Sequence, residues 1–222
     1  MTGTERPDHD LRRVDDAQQR FMALVRDLDD ADVAAPCRLP GWSVGHLLAH
    51  VARNADSHTL RAEAAARGQV VDQYPGGFEG RAAGIEAGAH RPASEQRVDL
   101  DTSAQRMAAA WAVVPDGAWG NVTRDVGGRE RPLAQLPGRR WQELEVHAVD
   151  LGLGTTHRDW PDDFVEVWLP RLRAELPGRV QPGTDPAAVA AQAAAALDPR
   201  DELAWLYGRL DRPELPPLRA WS

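Results

Sequence analysis

Apolar residues recur at helical spacing in four long segments of the chain. The first segment is residues 10–28, and the second, residues 44–67, begins directly after Ser43, a residue type that caps helix N-termini. The third and fourth segments are residues 94–114 and 138–151. Because an apolar stripe on a helix must be buried against another element, four such segments predict a four-helix bundle.

Glycine and proline concentrate between these segments. We predict loops over residues 34–40, 68–92 and 115–138, with one or two short strands within residues 119–126. The long second and third connections allow an up-and-down bundle or a related topology.

In the C-terminal part of the chain, the segments with helical spacing of apolar residues are shorter. Three helices and an extended, proline-punctuated tail are expected there, over residues 162–176, 185–197, 201–210 and 213–222. We therefore predict a mainly α protein with two domains. These are a helical bundle over residues 1–157 and a small, mostly helical region over residues 158–222.

Composition and charge narrow the class of protein. The 222 residues include 26 basic and 34 acidic side chains, which gives a net charge of −8. An acidic surface repels phosphate backbones, so no nucleic-acid partner is expected. No apolar run reaches the ~18 residues of a membrane span, and the N-terminal segment is charged, so neither membrane insertion nor export is expected. Cys37 is the single cysteine, which excludes an internal disulfide. We predict a cytoplasmic monomer or homodimer that acts on small molecules.

Histidines at helical spacing are the strongest candidates for chemistry. His46 and His50 lie four residues apart on the second predicted helix, and Glu143 lies four residues before His147 on the fourth. A Glu-x-x-x-His pair with a histidine from a neighbouring helix supplies the three donors of a catalytic zinc site. The carboxylate leaves iron, nickel and manganese open as well. From spacing alone, solvated surface pairs and buried structural histidines remain alternatives.

The neighbours of two histidines favour an inward orientation. His50 and His147 are both embedded among apolar residues, and an unpaired imidazole is costly to bury. A shared metal ion would satisfy both, with His46 as a competing ligand. Asp150, three residues after His147, lies on the same side of the helix. It is a candidate to orient that ligand or to act as a general base, or it is simply a carboxylate near a helix end.

Two longer motifs carry a resemblance to a known family. Residues 38–56 read RLPGWSVGHLLAHVARNAD, and residues 140–152 read RWQELEVHAVDLG. Both resemble signatures of the mycothiol-dependent maleylpyruvate isomerase family, which belongs to the wider group of DinB/YfiT-like four-helix metalloproteins. The resemblance implies a divalent metal, with zinc expected, held by His50, Glu143 and His147. It also implies mycothiol, a cysteine-containing sugar thiol, as cosubstrate.

The C-terminal region follows the family pattern less closely. Residues 205–209 read WLYGR and resemble the ending of the family's proteins, which implies that Arg209 binds a substrate carboxylate. Residues 180–197, however, lack the β-rich runs of the family's C-terminal appendage. This departure leaves the role of Arg209 dependent on one short motif.

The resemblance implies a reaction that begins with a metal-activated thiol. The thiolate adds to the cis double bond of maleylpyruvate, and its expulsion after bond rotation leaves the trans isomer, fumarylpyruvate. Two substrate carboxylates need cations, and because every basic residue is an arginine, Arg53 and Arg209 are the candidates. A mycothiol S-transferase is the main alternative, and a non-enzymatic binding module with a structural metal is another.

Overall fold

The computed structural model describes residues 5–219, and the chain divides into two units, Met1–Leu151 and Gly152–Ser222. The predicted domain boundary after residue 157 lies close to this division. The elements of the first unit are α1 (Asp8–Val25), α2 (Asp30–Ala34), α3 (Val44–Ala66), α4 (Gly77–Ala89), α5 (Ala93–Ala112), β1 (Val122–Arg124), β2 (Glu130–Pro132) and α6 (Leu136–Asp150).

The central helix of this unit, α3, is bounded by strong local signals. Its N-cap, Ser43, accepts a hydrogen bond from the backbone N–H of His46, and the His46 ring accepts one in return from the Ser43 backbone. The helix ends at Ala66, and Gly68 follows in the left-handed conformation (φ +70°). This reciprocal capping and the C-terminal glycine explain why both ends of α3 could be predicted from the sequence.

Four helices form the bundle. Helix α3 packs against α5 and α6, and α1 packs against α6 and α5. The apolar stripes that predicted these helices supply the buried core. Its members include Val14, Phe21, Leu47, Leu48, Val51, Leu100, Met107, Leu144 and Val146. The prediction of a mainly α protein built on a four-helix bundle is confirmed.

The predicted loop over residues 68–92 is wrong in part, because α4 occupies Gly77–Ala89 and packs against α3. Glycines in this helix mark close approach rather than irregular backbone. A Cβ on Gly88 would lie 2.9 Å from the Cβ of Ala49 on α3, and one on Gly80 would lie 1.8 Å from the carbonyl oxygen of Pro75. The short α2, capped by Asp29, was also not predicted.

A small antiparallel sheet follows α5. Strands β1 and β2 pair Thr123 with Arg131, and Gly128 turns the chain between them with a φ of +84°. The first strand lies within residues 119–126, where one or two strands were expected. The second lies in a segment predicted to be a loop.

The second unit is helical over its described residues, 152–219. It contains α7 (Asp162–Glu175), α8 (Pro186–Ala196) and α9 (Pro199–Leu206), close to the predicted bounds. The ring of Tyr207 packs against Trp160 and Phe164, with centroids 5.7 and 6.3 Å away. Residues 213–219 form neither helix nor strand, and the last three residues of the predicted tail lie outside the described chain.

Over residues 5–219, no helix combines the length and the apolar character that crossing a bilayer requires.

Candidate metal centre

Helices α3 and α6 bring three potential ligands together inside the first unit. The Nε2 atom of His50 lies 3.1 Å from Oε2 of Glu143 and 3.2 Å from Nε2 of His147. The Nε2 atom of His147 lies 3.3 Å from the same Glu143 oxygen. The three residues singled out by helical spacing therefore converge on one point.

Helical geometry explains the convergence. Glu143 and His147 are four residues apart on α6 and so lie on one face, which packs against the face of α3 that carries His50. The two histidines are buried, at 4% and 7% exposure, while the Glu143 side chain keeps 26%. The Trp42 ring stands edge-on to His50 at a centroid distance of 5.7 Å. The cluster is thus enclosed by protein on the histidine side and open towards Glu143.

Asp150 fixes the orientation of one imidazole. Its Oδ2 atom lies 2.9 Å from Nδ1 of His147, and its side chain is 1% exposed. When Nδ1 donates its hydrogen to this carboxylate, the Nε2 lone pair is directed at Glu143 and His50. A carboxylate behind a histidine is the arrangement usual for metal-ligating histidines.

The protonation of the cluster follows from burial and hydrogen bonding. Burial lowers the pKa of His50 to about 4. Burial alone would raise the pKa of Glu143, but hydrogen bonds with His147 and His50 hold it well below its usual range. Burial likewise opposes the charged form of His147, but hydrogen bonds with Asp150 and Glu143 raise its pKa. Glu143 is therefore an ionised carboxylate and His50 a neutral imidazole at pH 7, the forms in which both bind metals.

The donor set fits a divalent cation. In tetrahedral coordination with bonds of ~2.0–2.2 Å to His nitrogen and carboxylate oxygen, neighbouring donor atoms lie about 3.3–3.6 Å apart. The three separations here are 3.1–3.3 Å, and the three atoms belong to one group capable of holding a metal ion. Two nitrogens and one carboxylate oxygen suit zinc and also iron, nickel or manganese.

An arginine that the sequence did not single out borders the cluster. The Nη2 atom of Arg81 on α4 lies 3.2 Å from Nδ1 of His50, and its guanidinium lies over the Trp42 ring at 6.0 Å. A guanidinium only donates, so this contact requires an unprotonated Nδ1 and a hydrogen on Nε2. Arg81 was missed because its segment was interpreted as a loop.

Two further polar side chains lie near Glu143. Tyr74 is buried, and its pKa is raised first by burial and then by the charge of Glu143. Arg61 is 3% exposed, and burial lowers its pKa to about 10. Its Nε and Nη2 atoms donate to the carbonyl and hydroxyl oxygens of Ser57. The spacing of Arg61 and Tyr74 in the sequence gives no signal of this proximity.

The two arginines predicted to bind substrate have protein partners. The Nη2 atom of Arg53 donates to Asp99 at 2.6 Å and also lies 2.9 Å from Asp56. Arg209 belongs to the second unit, where its Nη1 atom donates to the Tyr207 carbonyl and its side chain borders a cavity of about 640 Å³. Their roles stay predictions.

His46, the competing ligand, faces away from the cluster. Its Nδ1 atom is held by Ser43, and its Nε2 atom lies 3.4 Å from Glu86 of α4. A helical bundle in which two histidines and one carboxylate meet in the interior defines the first unit as a candidate metal-binding bundle.

Comparison with known proteins identifies the family. The sequence profile of the mycothiol maleylpyruvate isomerase N-terminal domain matches residues 14–152, and the chain belongs to that family. No curated protein sequence matches it.

Two solved structures share the fold over nearly the whole chain. They are crystal structures of the mycothiol-dependent maleylpyruvate isomerase and of a histidine-to-alanine mutant of it, with TM-scores of 0.81 and 0.82. Each is 20% identical in sequence, and the match covers 95% of this chain and 96% of that chain.

Proposed function

We propose that the protein is a metal-dependent, mycothiol-using isomerase that converts maleylpyruvate to fumarylpyruvate. The observation that carries this proposal is the convergence of His50, Glu143 and His147 within 3.1–3.3 Å of one another, in the part of the chain that matches the family. Three protein donors leave a further coordination position for a ligand, as in catalytic rather than structural zinc sites.

In this proposal, His50, Glu143 and His147 hold the ion, and zinc is the expected metal. Such an ion lowers the pKa of a thiol that binds to it, so that a thiolate is available at neutral pH. Asp150 accepts the Nδ1 hydrogen of His147 and keeps that ring in the ligating tautomer. A reaction that requires a reduced thiol is expected in the cytoplasm, where thiols are kept reduced.

The isomerisation itself needs a thiol and a place for a dicarboxylate. Addition of the thiolate sulfur to the cis double bond moves the π electron pair onto the conjugated keto oxygen of the substrate as an enolate, and leaves a single bond about which the carbon chain rotates. Expulsion of the thiol then gives the trans isomer, and the thiol is regenerated. The protein must therefore hold both carboxylates while the carbon chain turns between them, which is a task for arginine side chains.

Arg81 is best placed to receive one carboxylate. A ligating Nε2 on His50 requires the hydrogen on Nδ1, which then faces the Arg81 guanidinium, so the Arg81–His50 contact and metal ligation exclude each other. We infer that Arg81 turns from His50 towards the substrate when the metal is bound. Arg53, held by Asp99, and Arg209, in the second unit, are the other candidates.

The test compares metal content and activity in the same preparations. Wild type, His147→Ala and a matched control, His9→Ala at an exposed position of α1, are assayed for bound metal and for maleylpyruvate isomerisation with and without mycothiol. We expect one tightly bound ion and thiol-dependent turnover in wild type and the control, and loss of both in His147→Ala. Asp150→Asn, which keeps all three ligands, should weaken metal binding by about 10–100-fold.

The same assay separates the alternatives. Bound metal without isomerisation, together with consumption of mycothiol by added electrophiles, would point to an S-transferase. Turnover that does not depend on the thiol would contradict the mechanism proposed, and an absence of metal from wild type would contradict the site.

A further inference from the structure

A second group of potential metal ligands lies at the α3–α4 contact, outside the cluster described above. It consists of His46 in the first turn of α3, Glu86 on α4, and His90, the residue that caps the C-terminus of α4. The Nε2 atom of His46 lies 3.4 Å from one Glu86 oxygen, and that of His90 lies 3.2 Å from the other. One donor atom from each residue lies within 4.8 Å of the other two.

The fold fixes the position of one ring of this group, that of His46. The Nδ1 atom of His46 lies 2.7 Å from the Ser43 hydroxyl in the N-terminal cap of α3, which leaves Nε2 directed at Glu86. The Trp42 ring lies nearly parallel to the His46 ring, with an angle of 28° and a centroid distance of 6.3 Å. The same Nδ1 atom accepts from the Ser43 backbone N–H at 3.2 Å, so ligation through Nε2 requires the other tautomer, in which Nδ1 donates to the Ser43 hydroxyl and that backbone hydrogen bond is given up.

The second histidine approaches from the opposite helix. The rings of His46 and His90 stand perpendicular to each other, with centroids 5.3 Å apart. The side chains of Glu86 and His90 are 66% and 73% exposed, so a hydrated ion reaches them from solvent without any opening of the protein. Their exposure also means that binding must order two mobile side chains, which weakens the affinity.

We propose that His46, Glu86 and His90 form a second divalent-cation site that fastens α4 to α3. Two imidazole nitrogens and one carboxylate oxygen define its ligand class as zinc, nickel or copper rather than magnesium or calcium. The site is weaker than the buried cluster because two of its ligands are exposed. It does not depend on the function proposed above, since it shares no ligand with that cluster.

The proposed site lies on the same helix as Arg81, so an ion bound there also bears on the buried cluster. The helix carries Arg81, whose guanidinium contacts His50 and lies over Trp42. The second site and Arg81 are therefore both on α4, and the residues opposite them, His46 and His50, are one turn apart on α3. An ion that ties the end of α4 to the start of α3 restricts the helix that delivers Arg81 to the buried cluster.

In the experiment, the metal-free protein is titrated with Zn²⁺ alone, and calorimetry measures the heat of binding at each addition. Five proteins are compared: wild type, His50→Ala, His90→Ala, Glu86→Gln and the exposed-histidine control His9→Ala. We expect two classes of site in wild type and in the control. His50→Ala should lose the tighter class and keep the weaker one. His90→Ala and Glu86→Gln should keep the tighter class and weaken the other at least tenfold.

Amide hydrogen exchange tests the link between the two helices. Zn²⁺ added beyond one equivalent should slow exchange in residues 77–89 of wild type and leave their exchange unchanged in His90→Ala. Absence of the weaker class from wild type would overturn the proposal, and so would a weaker class that survives both His90→Ala and Glu86→Gln. Absence of the tighter class from wild type, with the weaker class present, would instead count against the proposed function.

Discussion

Individual nitrogen atoms decide what the buried cluster can bind. His147 has a carboxylate behind Nδ1, which suits metal ligation, whereas His50 has a guanidinium there, which does not. The convergence of His50, Glu143 and His147 could be predicted from the sequence because i, i+4 spacing and apolar neighbours are local properties. The residues that contact Nδ1 of the two histidines are not equally predictable from the sequence. Asp150 is local to His147 and was proposed, but Arg81 reaches His50 from another helix and was not.

His58 is a buried histidine outside both clusters, and it should make stability depend on pH. It is 1% exposed, its Nδ1 has no partner among the described residues, and burial lowers its pKa well below 6.5. The charges of Arg61 and Arg140 lower that pKa further, and Glu143 opposes them. As pH falls below 6.5, the His58 imidazole binds a proton in the unfolded chain but stays neutral in the folded protein. This site alone should reduce the free energy of unfolding by about 1.4 kcal/mol per pH unit.

Urea unfolding of the metal-free protein at several values between pH 7.5 and 5.0 measures this effect. His58→Gln should lose stability more slowly than wild type below pH 6.5, whatever its stability at pH 7.5. The control His9→Ala, at an exposed position, should follow the wild-type slope. Equal slopes for wild type and His58→Gln would show that the buried ring does not resist protonation.

At the scale of elements, helices with an apolar stripe and clear caps could be predicted, and the glycine-rich helix could not. Helix α3 has Ser43 at its start and Gly68 after its end, and α6 has a stripe that includes Leu144. Helix α4 carries four glycines and lacks a strong stripe, because contact with α3 leaves no room for side chains at Gly88. Tertiary packing overrides local propensity there.

Two glycine-to-alanine substitutions should have opposite effects. Alanine normally stabilises a helix by up to about 1 kcal/mol relative to glycine. At Gly84 a Cβ would meet only the Arg53 side chain at 3.6 Å, so Gly84→Ala should raise the free energy of unfolding by up to that amount. At Gly45 a Cβ would lie 2.2 Å from the Ala89 carbonyl oxygen, so Gly45→Ala should lower it by roughly 1–3 kcal/mol.

Urea denaturation of both variants beside wild type measures the difference. Because Ala89 is the last residue of α4, Gly45→Ala tests whether the end of α4 rests directly on the first turn of α3. Stabilisation by both substitutions would mean that α4 does not approach α3 this closely.

For the chain as a whole, the sequence predicted the mainly helical architecture and the convergence of His50, Glu143 and His147 better than it predicted the residues around them. Arg53 follows His50 by less than one turn, yet it forms ion pairs with Asp56 and Asp99, as α5 lies on that side of α3. Conversely, Arg81 and Tyr74 come from a segment without periodicity. Which polar side chains surround a site depends on packing between helices, and one sequence does not encode that in any local pattern.

Arg140 is the residue on which the assembly of the bundle should depend most. It lies on α6, is fully buried, and donates from Nη1 to the Val51 carbonyl at 2.8 Å and to Asn54 at 2.9 Å, both on α3. Its Nη2 donates to Gln18 on α1 at 3.1 Å. A single planar guanidinium thus joins three helices one turn before Glu143, and it sets how α6 lies against α3.

Arg140→Lys should therefore weaken both stability and metal binding. A lysine ammonium keeps the charge but cannot reach acceptors on two other helices at once, so buried oxygens lose their donor. We expect the free energy of unfolding to fall by about 2–4 kcal/mol. Zinc affinity should fall as well, because Glu143 and His147 lose their alignment with His50. The control is Arg12→Lys at an exposed position, with a change within ~0.5 kcal/mol.

Urea unfolding measures the first effect and competition with a chelator the second. A variant that is less stable but binds zinc as tightly as wild type would show that Arg140 supports the fold without setting the site. A stability equal to that of wild type would mean that the buried guanidinium contributes no more than lysine does. The combined loss is what the geometry predicts, since the residue that holds α6 in place is one turn from Glu143 and two turns from His147, the candidate ligands on α6.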